Sequence, residues 1–325
     1  MPSPGDRVKI FVIGKIDSIT HWLEDSVAAF RAEGHQVRIG VTRNPKLSAA
    51  LESVLLAPWL GAPLASRIGR QIDAFCPDLV LAIGAHAIPP IILEHIAALR
   101  GRPRFVGWVG DVFGREARRS AAALDVVAYT DSGLVELHAR LGFTSPAIYL
   151  PHAANPHIDV SASREVRQAR MVFVGHPSPR RLEVIGALRS PISLYGTGWT
   201  PFARVEHEIH RRRVAKDDLQ RIYAGHVAAL NIRNERNVIH GLNQRNFDPY
   251  LTETAVIAED QPDLARCFET GREVLVWRDI DELNDIYERV RRAPDSAASV
   301  GRLGRRRVLA DHTYARRLEA LTKLL

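Results

Sequence analysis

The feature that most constrains the fold is a repeated pattern of short, β-rich apolar runs that end at a glycine or an acidic residue. Val8–Ile13 is the first such run and stops at Gly14, and a predicted helix, His21–Glu33, follows it. Further strands are predicted before the midpoint at Val37–Val41, Pro77–Gly84, Arg104–Val109, Leu124–Tyr129 and Ala147–Leu150. Strands that alternate with helices in this way predict a doubly wound, parallel α/β sheet.

The alternation stops at Pro151–Pro156, which is interpreted as an interdomain linker, and then restarts. Strands are predicted at Met171–Val174, Ser193–Tyr195, Val227–Ile232, Ala255–Ala258 and Glu273–Val276, and helices at Asp281–Arg292, Ser296–Ala310 and Tyr314–Leu325. A chain of 325 residues also exceeds what one core usually supports. We therefore expect a Rossmann-like domain at 1–152, a second at 153–312, and a C-terminal helix at 313–325 for which packing against the first domain is one expectation.

Composition and motifs exclude several classes of protein. Hydrophobic residues make up 46% and charged residues 25%, as in ordinary globular proteins, and no apolar stretch reaches the roughly 20 residues of a membrane span. The N-terminus lacks the layout of a signal peptide, so a cytoplasmic location is predicted. The chain has no GxGxxG after its first strand, no Walker loop, no HExxH or paired CxxC, and no GxSxG. These absences argue against a nicotinamide dehydrogenase, a P-loop enzyme, a zinc site and a common hydrolase.

The net charge of +7 is unevenly distributed. One window with a single acid, Asp295, holds Arg289, Arg291, Arg292, Arg302, Arg305, Arg306 and Arg307. A solvated helix face explains this cluster, and peripheral contact with an anionic membrane or a charged polymer is the functional alternative. No nucleic-acid motif accompanies the arginines, so nucleic acid is not an expected partner. The sequence carries no signal for the oligomeric state.

The carboxyl ends of parallel strands are where such sheets bind ligands. This rule selects the loops at Gly14, Gly84, Gly110-Asp111, Thr130-Asp131, Gly175, Gly196 and Gly241. The segment Gly241–Asp248 is interpreted as a strand end that leads into a helix N-terminus, where backbone amides would face an anion. A carboxylate soon after, Asp248, could accept the hydroxyls of a ribose.

Several segments in order resemble the glycosyltransferase-like family that includes the spore protein CgeB. They cover most of residues 105–320 and include Trp108–Asp111, Leu150–His152, Phe173–Gly175 with Arg180-Arg181, Tyr195–Trp199, Leu230–Ile232, Gly241–Asp248, Pro262–Leu264, Gly271–Glu273 and His312–Tyr314. The resemblance implies a GT-B architecture, with two facing Rossmann-like domains, a cleft between them, a nucleotide-sugar held by the second domain and an acceptor by the first. It also implies that no metal is essential. Where the family usually has glutamate, this chain has Asp248, and Thr252 replaces a small residue.

The predicted donor is a nucleoside diphosphate sugar, with UDP or dTDP expected rather than GDP, and no separate cofactor is expected. Transfer places negative charge on the leaving diphosphate, which cations must hold if no metal does so. Candidate cations are Arg180, Arg233 and Arg245, with amides near Asn243. Other candidate donor-site residues are Gly175, Gly196 and Gly198 for close backbone approach, Tyr195 and Trp199 for stacking on the base, and Asp248 for the ribose. Core packing, turns and surface ion pairs are the structural alternatives for these residues.

Deprotonation of the acceptor hydroxyl requires a base if the reaction inverts configuration. Asp111 is the first candidate, since it follows a strand and a glycine, and His21, His86 and Asp17 are alternatives from the same domain. His152 follows the linker proline and could lie over the diphosphate. If the reaction retains configuration, Asp111 would only position the acceptor.

A hydroxyl on a cell-envelope glycan, a glycoprotein or a secondary metabolite is the expected acceptor. Two other functions stay open. One is a sugar-nucleotide epimerase or hydrolase on the same architecture, which would release nucleotide without an acceptor. The other is a non-catalytic family member that binds a sugar or an envelope polymer, suggested by aspartate at position 248.

Overall fold

The computed structural model describes residues 7–15, 21–42, 58–113, 117–158 and 167–325. The chain forms two compact units. Unit 1 comprises Met1–Pro151, Asn237–Ile239 and Tyr314–Leu325, and unit 2 comprises His152–Arg236 and His240–Thr313. Each unit contains one six-stranded sheet, and all strand pairs in both sheets are parallel. The predicted α/β class with two doubly wound sheets is confirmed.

The sheet of unit 1 has the order β2-β1-β3-β4-β5-β6. Its strands are β1 Lys9–Gly14, β2 Gln36–Val41, β3 Leu79–Ile83, β4 Arg104–Val109, β5 Val126–Tyr129 and β6 Ala147–Tyr149. Its helices are α1 Trp22–Ala32, α2 Pro58–Phe75, α3 Pro90–Ala97, α4 Arg118–Ala122, α5 Ser132–Arg140 and the C-terminal α11 Tyr314–Thr322. The central strands read as continuous apolar runs because helices cover both faces of the sheet.

Trp108, on β4, packs against two helices on one face of the sheet in unit 1. Its Nε1 donates a hydrogen bond to the carbonyl oxygen of Leu150 at 2.9 Å. Its ring packs edge-on against Trp22 of α1 and Tyr314 of α11, with centroids 4.9 and 6.1 Å away. Helix α11, although last in the chain, therefore packs within unit 1.

The sheet of unit 2 has the order β12-β11-β10-β7-β8-β9. Its strands are β7 Gln168–Val174, β8 Ser193–Tyr195, β9 Glu208–His210, β10 His226–Asn231, β11 Ala255–Glu259 and β12 Leu275–Trp277. Its helices are α6 Pro179–Gly186, α7 Lys216–Ala224, α8 Leu264–Cys267, α9 Ile280–Arg292 and α10 Pro294–Asp311. Chain order reverses between β7 and β10, which are neighbours, so the switch point of this sheet lies between them. Strand β9 was not predicted, since Glu208–His210 has no apolar run.

The segment Gly241–Asp248 differs from its predicted form. Strand β10 ends at Asn231, well before Gly241, and the segment leads into two 3₁₀ turns, Gln244–Asn246 and Asp248–Thr252, instead of an α-helix. Pro249 in the second turn has no backbone N–H and interrupts the hydrogen-bond ladder that an α-helix needs. The prediction of a helix N-terminus here is therefore wrong.

No helix in the described part of the chain is both long and apolar enough to cross a membrane.

Candidate functional site

Two arginines lie at the switch point of unit 2, and in the described part of the chain neither forms an ion pair with a carboxylate. The guanidinium groups of Arg181 and Arg245 lie 5.3 and 5.7 Å from the centroid of the Phe173 ring, which therefore contacts both. Among the described residues, no carboxylate lies within ion-pair distance of either group, and both Nε atoms are buried without a hydrogen-bond partner. Arg181 donates one bond, from Nη1 to the carbonyl oxygen of His176 at 2.8 Å.

Burial makes this pair of cations costly. It lowers the pKa of Arg181 to about 9, and the neighbouring positive charge of Arg245 acts in the same direction. Burial also lowers the pKa of Arg245, and the side chains of Tyr223 and Asp248 oppose that effect. Two buried guanidinium groups whose positive charge lacks a neighbouring anion are unfavourable. An anion that bonds to both groups lowers this cost, and the planar guanidinium can donate two hydrogen bonds to the oxygens of one phosphate. The pair is therefore a candidate anion site.

Three asparagines hold Arg245 in place. The Asn243 side chain accepts a bond from the backbone N–H of Arg245 at 3.0 Å, and its Nδ2 donates to Oδ1 of Asn231 at 3.1 Å. Asn246 accepts from the side chain of Asn231 and from the backbone of Asn243. The loop is thereby tied to the end of β10. The backbone N–H groups of Asn243 and Arg245 donate to protein side chains. The predicted contact of amides near Asn243 with an anion stays a prediction.

Arg180 and Arg233 share one buried carboxylate, Glu259, at the end of β11. Arg180 Nη2 lies 3.0 Å and Arg233 Nε lies 3.6 Å from Glu259 Oε1, and the backbone N–H of Arg233 donates to Oε2 at 3.2 Å. Arg180 also pairs with Glu183 at 3.1 Å. Two of the three predicted donor cations are thus already balanced by protein charge, whereas Arg181, which was not a predicted donor cation, is not.

The three glycines of this edge have close neighbours within the protein. A Cβ on Gly196 would lie 2.2 Å from the carbonyl oxygen of Gly175, and one on Gly198, where φ is +89°, would lie 3.2 Å from the Pro177 ring. A Cβ on Gly175 would lie 3.6 Å from Nη1 of Arg245. Gly196 and Gly198 are therefore required by local packing, and Gly175 borders the arginine pair.

The two aromatic residues predicted to stack on a nucleotide base pack against other residues of the protein. Trp199 is buried in the core, and its Nε1 donates to the carbonyl oxygen of Gly175 at 2.8 Å. Its ring has no exposed face, so core packing replaces the predicted stacking role. Tyr195 is half-buried and stacks on the ring of His210, with centroids 4.1 Å apart.

Asp248 and His152 are both buried in unit 2. Asp248 Oδ1 accepts a bond from Nε2 of Gln244 at 3.2 Å, and Gln244 also donates to the carbonyl oxygen of Ala153. The Asp248 charge acts on both Arg245 and Tyr223. Its predicted bonds to ribose hydroxyls, and the predicted place of His152 over a diphosphate, stay predictions.

In unit 1, two base candidates come together at the carboxyl ends of β3 and β4. Asp111 follows β4, and His86 lies in the 3₁₀ turn Ala85–Ala87 after β3. Burial raises the pKa of Asp111, against the opposing effects of the Val112 N–H and of His86, and burial lowers the pKa of His86 against the effect of Asp111. Asp111 Oδ2 also accepts a bond from Nδ2 of Asn237 at 3.0 Å. A carboxylate whose pKa is raised is a better proton acceptor than an ordinary aspartate.

The remaining base candidates fare differently. His21 precedes α1 in a left-handed conformation, with φ +49°, and makes no side-chain cap bond to that helix. Asp131, which the sequence selected only as part of a strand-end loop, caps α5 by accepting from the N–H groups of Gly133 and Leu134. Asp17 lies outside the described residues. In the described part of the chain, no group of three or more His, Cys, Asp or Glu side chains is arranged to hold a metal ion.

Sequence reasoning missed three residues that the fold brings to these edges: Arg181, Glu259 and Asn237. Arg181 stands beside Arg180 in the sequence, and nothing local separates the paired arginine from the unpaired one. Glu259 lies far along the chain from Arg180, and Asn237 is distant from Asp111. Contacts of such sequence separation carry no local signal.

Comparison with known proteins identifies the fold. Residues 175–323 match the model of a family described as glycosyl transferase-like. No curated protein matches the sequence. Sucrose-phosphate synthase from Thermosynechococcus elongatus superposes with a TM-score of 0.68 at 12% identity, covering 98% of this chain and 99% of that one. HepE from Anabaena, solved with UDP-glucose, gives a TM-score of 0.67 at 11% identity, covering 98% of this chain and 100% of that one.

The comparisons identify the architecture of the whole chain and the family of its C-terminal part. The two parallel six-stranded sheets match GT-B glycosyltransferase structures, so the GT-B architecture expected from the sequence is confirmed. The family match covers less than half of the chain and indicates a glycosyl transferase-like segment at residues 175–323.

Proposed function

From a GT-B glycosyltransferase fold, we propose that this chain transfers a sugar from a nucleoside diphosphate sugar to an acceptor hydroxyl, without an essential metal. The observation that carries the proposal is the buried pair Arg181 and Arg245 at the switch point of unit 2. As the glycosidic bond to the diphosphate breaks, charge accumulates on the phosphate oxygens. Guanidinium groups already in place stabilise that charge without reorganising.

UDP is the nucleotide that we propose, with dTDP as the alternative and GDP less favoured. HepE, which shares the fold, was solved with UDP, with UDP and glucose, and with UDP-glucose. Asp248, buried beside Gln244, is the proposed acceptor of the ribose hydroxyls. The finer assignment to the CgeB-like family rests on the motif order described above and is part of this proposal.

Asp111 is the proposed base for an inverting reaction. Its carboxylate takes the proton from the acceptor hydroxyl while the oxygen forms a bond to the anomeric carbon, and the nucleoside diphosphate leaves with the electron pair of the broken bond. Burial raises the pKa of Asp111, which supports this role. In a retaining reaction, the same side chain would position the acceptor instead.

Substitution of the two arginines tests the donor site. In Arg245→Met and Arg181→Met, we expect UDP affinity to fall about 10- to 100-fold, since each loses charged hydrogen bonds to phosphate. Arg189→Met, which removes an exposed arginine paired with Asp281, is the matched control and should bind UDP normally. Isothermal titration calorimetry with UDP, with and without chelator, measures the effect.

The outcomes separate the competing functions. Unchanged UDP affinity in both arginine variants would overturn the site. Failure of the native chain to bind any nucleoside diphosphate would favour the non-catalytic, polymer-binding alternative. Release of UDP from UDP-glucose at the full rate with no acceptor present would favour the hydrolase or epimerase alternative.

We further propose a cytoplasmic protein that contacts anionic membrane through its arginine cluster. Arg289, Arg292, Arg302 and Arg306 are exposed on α9 and α10, and within the described chain none of them forms an ion pair. Co-sedimentation with phosphatidylglycerol vesicles, compared with phosphatidylcholine, tests this, and replacing all four by glutamine should abolish binding. Arg272→Gln, which removes an arginine paired with Glu269, should not.

A further inference from the structure

The chain segment that follows β10 supplies three residues, Asn237–Ile239, to unit 1. Two hydrogen bonds hold it there. The backbone N–H of Ile239 donates to Oδ2 of Asp131 at 2.7 Å, and the Asn237 side chain donates to Oδ2 of Asp111 at 3.0 Å. Asp111 and Asp131 follow β4 and β5, which are neighbouring parallel strands. The segment therefore lies along the carboxyl edge of the sheet in unit 1.

The bond at Ile239 is an anchor. The Ile239 side chain packs against the hydrophobic core of unit 1. Its partner Asp131 is buried and also caps α5 through Oδ1, so its carboxylate is committed to local structure. This contact holds the segment without any contribution from the side chain of Asn237.

The hydrogen bond from Asn237 differs from the one at Ile239, because its acceptor, Asp111, is the proposed base. Val112 donates its backbone N–H to Oδ1 of Asp111 at 2.8 Å, and Asn237 donates to Oδ2. One donor on each oxygen fixes the plane of the carboxylate. A carboxylate oxygen has two lone pairs, so each oxygen keeps one for a substrate proton.

We propose that Asn237 is a positioning residue that holds the Asp111 carboxylate in the orientation needed to accept the acceptor's proton. The inference rests on the proposed function, since it takes Asp111 to be the base. No feature of the local sequence around either residue pairs them, and the assignment comes from the tertiary contact alone.

Loss of the amide should alter the base in two ways. The carboxylate would no longer be fixed at Oδ2, and misplacement of a catalytic group by about 1 Å can cost about 100-fold in rate. An amide donor also favours the ionised form, so its removal should raise the pKa of Asp111 further. His86, in the turn that follows β3, is the titratable group that acts on Asp111, and the Val112 N–H is the other donor. Both remain in place in the variant.

Asn237→Ala is the test, with Asn237→Gln as the conservative variant. For Asn237→Ala, we expect kcat to fall about 10- to 100-fold, and the acid limb of the kcat/KM profile for the acceptor to move to higher pH. UDP affinity and melting temperature should stay native, because Ile239 still anchors the segment. Asn237→Gln should recover part of both losses. The matched control is Asn234→Ala, from the same segment, whose side chain accepts a bond from the N–H of Arg236.

The outcomes distinguish the positioning role of Asn237 from the proposed transferase function on which it rests. Native kcat and an unmoved acid limb in Asn237→Ala would overturn the positioning role while leaving the transferase intact. A lowered melting temperature with an unmoved acid limb would make Asn237 structural. Full transfer by Asp111→Asn would instead overturn Asp111 as base, and the positioning role with it, whatever Asn237→Ala does.

Discussion

At the scale of single residues, four arginines at one edge of a sheet differ in what balances their charge. Arg180 and Arg233 share Glu259, whereas among the described residues Arg181 and Arg245 form no ion pair, and both guanidinium groups contact the ring of Phe173. A paired arginine stabilises the fold, and an unpaired buried one costs stability until a ligand supplies the missing charge. Stability therefore favours arginines that already have a carboxylate partner, whereas anion binding favours arginines that do not.

Glu259→Gln should reveal how much the ion pairs of Glu259 with Arg180 and Arg233 contribute to stability. The substitution leaves Arg233 without a carboxylate and Arg180 with only the more exposed Glu183, and we expect the free energy of unfolding to fall by about 2 kcal/mol, less than for a fully buried pair because both arginines are partly exposed. Chemical denaturation measures it. In a double-mutant cycle with Arg180→Met, the two losses should be non-additive. Additive losses would mean that the ion pair contributes nothing.

Asp111→Asn should separate activity from stability. Burial raises the pKa of Asp111 above its value in the unfolded chain, so folding favours the protonated carboxyl and ionisation above the folded-state pKa costs stability. Asparagine does not ionise. At pH 7 we therefore expect an unchanged or higher melting temperature, together with a fall in transfer of about 10²- to 10⁴-fold if the residue is the base. A lower melting temperature would contradict the stability argument.

At the scale of elements, helix α10 depends on small residues where it meets the turn Asp248–Thr252 and β11. A Cβ on Gly301 would lie 1.9 Å from the carbonyl oxygen of Glu253, and one on Gly304 would lie 2.1 Å from the ring of Tyr250. Glycine lowers helix propensity, so its presence in the interior of a helix needs a packing reason. Here the reason is the close approach of the turn that carries Asp248.

Gly301→Ala should therefore destabilise unit 2 although alanine is the better helix former. The added methyl meets backbone, which cannot move aside like a flexible side chain, and we expect a loss of about 1–3 kcal/mol. Gly186→Ala in α6 is the matched control, since its Cβ would lie 3.5 Å from Phe202, an ordinary contact. Thermal unfolding should show the control unchanged or stabilised by up to about 1 kcal/mol. Equal effects in both would contradict the packing argument.

At the scale of the whole molecule, unit 1 is completed by chain from outside its own continuous stretch. Unit 1 includes Asn237–Ile239 and the C-terminal helix α11 in addition to its first 151 residues. Helix α11 contributes the Tyr314 ring beside Trp108, and Arg317, whose Nε donates to the carbonyl oxygen of Pro151 at 2.7 Å. A fragment ending at residue 151 would lack both.

Deletion of residues 314–325 tests this dependence. Removing α11 uncovers Trp108 and the face of α1, so we expect a red shift in tryptophan fluorescence and faster proteolysis within unit 1. Deletion of 323–325 alone is the control and should behave as the full chain. Tyr314→Ala, which removes a fully buried aromatic ring, should lower the free energy of unfolding by about 3–5 kcal/mol. Native fluorescence after the long deletion would contradict the proposed dependence.

The sequence by itself determined the class of fold and the positions of most strands. Arg104–Val109 and Ser193–Tyr195 are predicted and observed with the same bounds, because apolar β-rich runs closed by glycine or acidic residues are local patterns. The polar strand Glu208–His210 and the 3₁₀ form of Gln244–Asn246 escaped prediction, since neighbouring strands and side-chain caps specify them.

Only the tertiary structure decided the chemistry of the candidate site. It determined that Glu259 neutralises Arg180 and Arg233 but leaves Arg181 and Arg245 as the buried pair, that Trp199 is core, and that Asn237 bonds to Asp111. The physical reason is the same in each case. The charge balance, burial and orientation of a side chain depend on partners far away in the sequence, and only folding brings those partners within bonding distance.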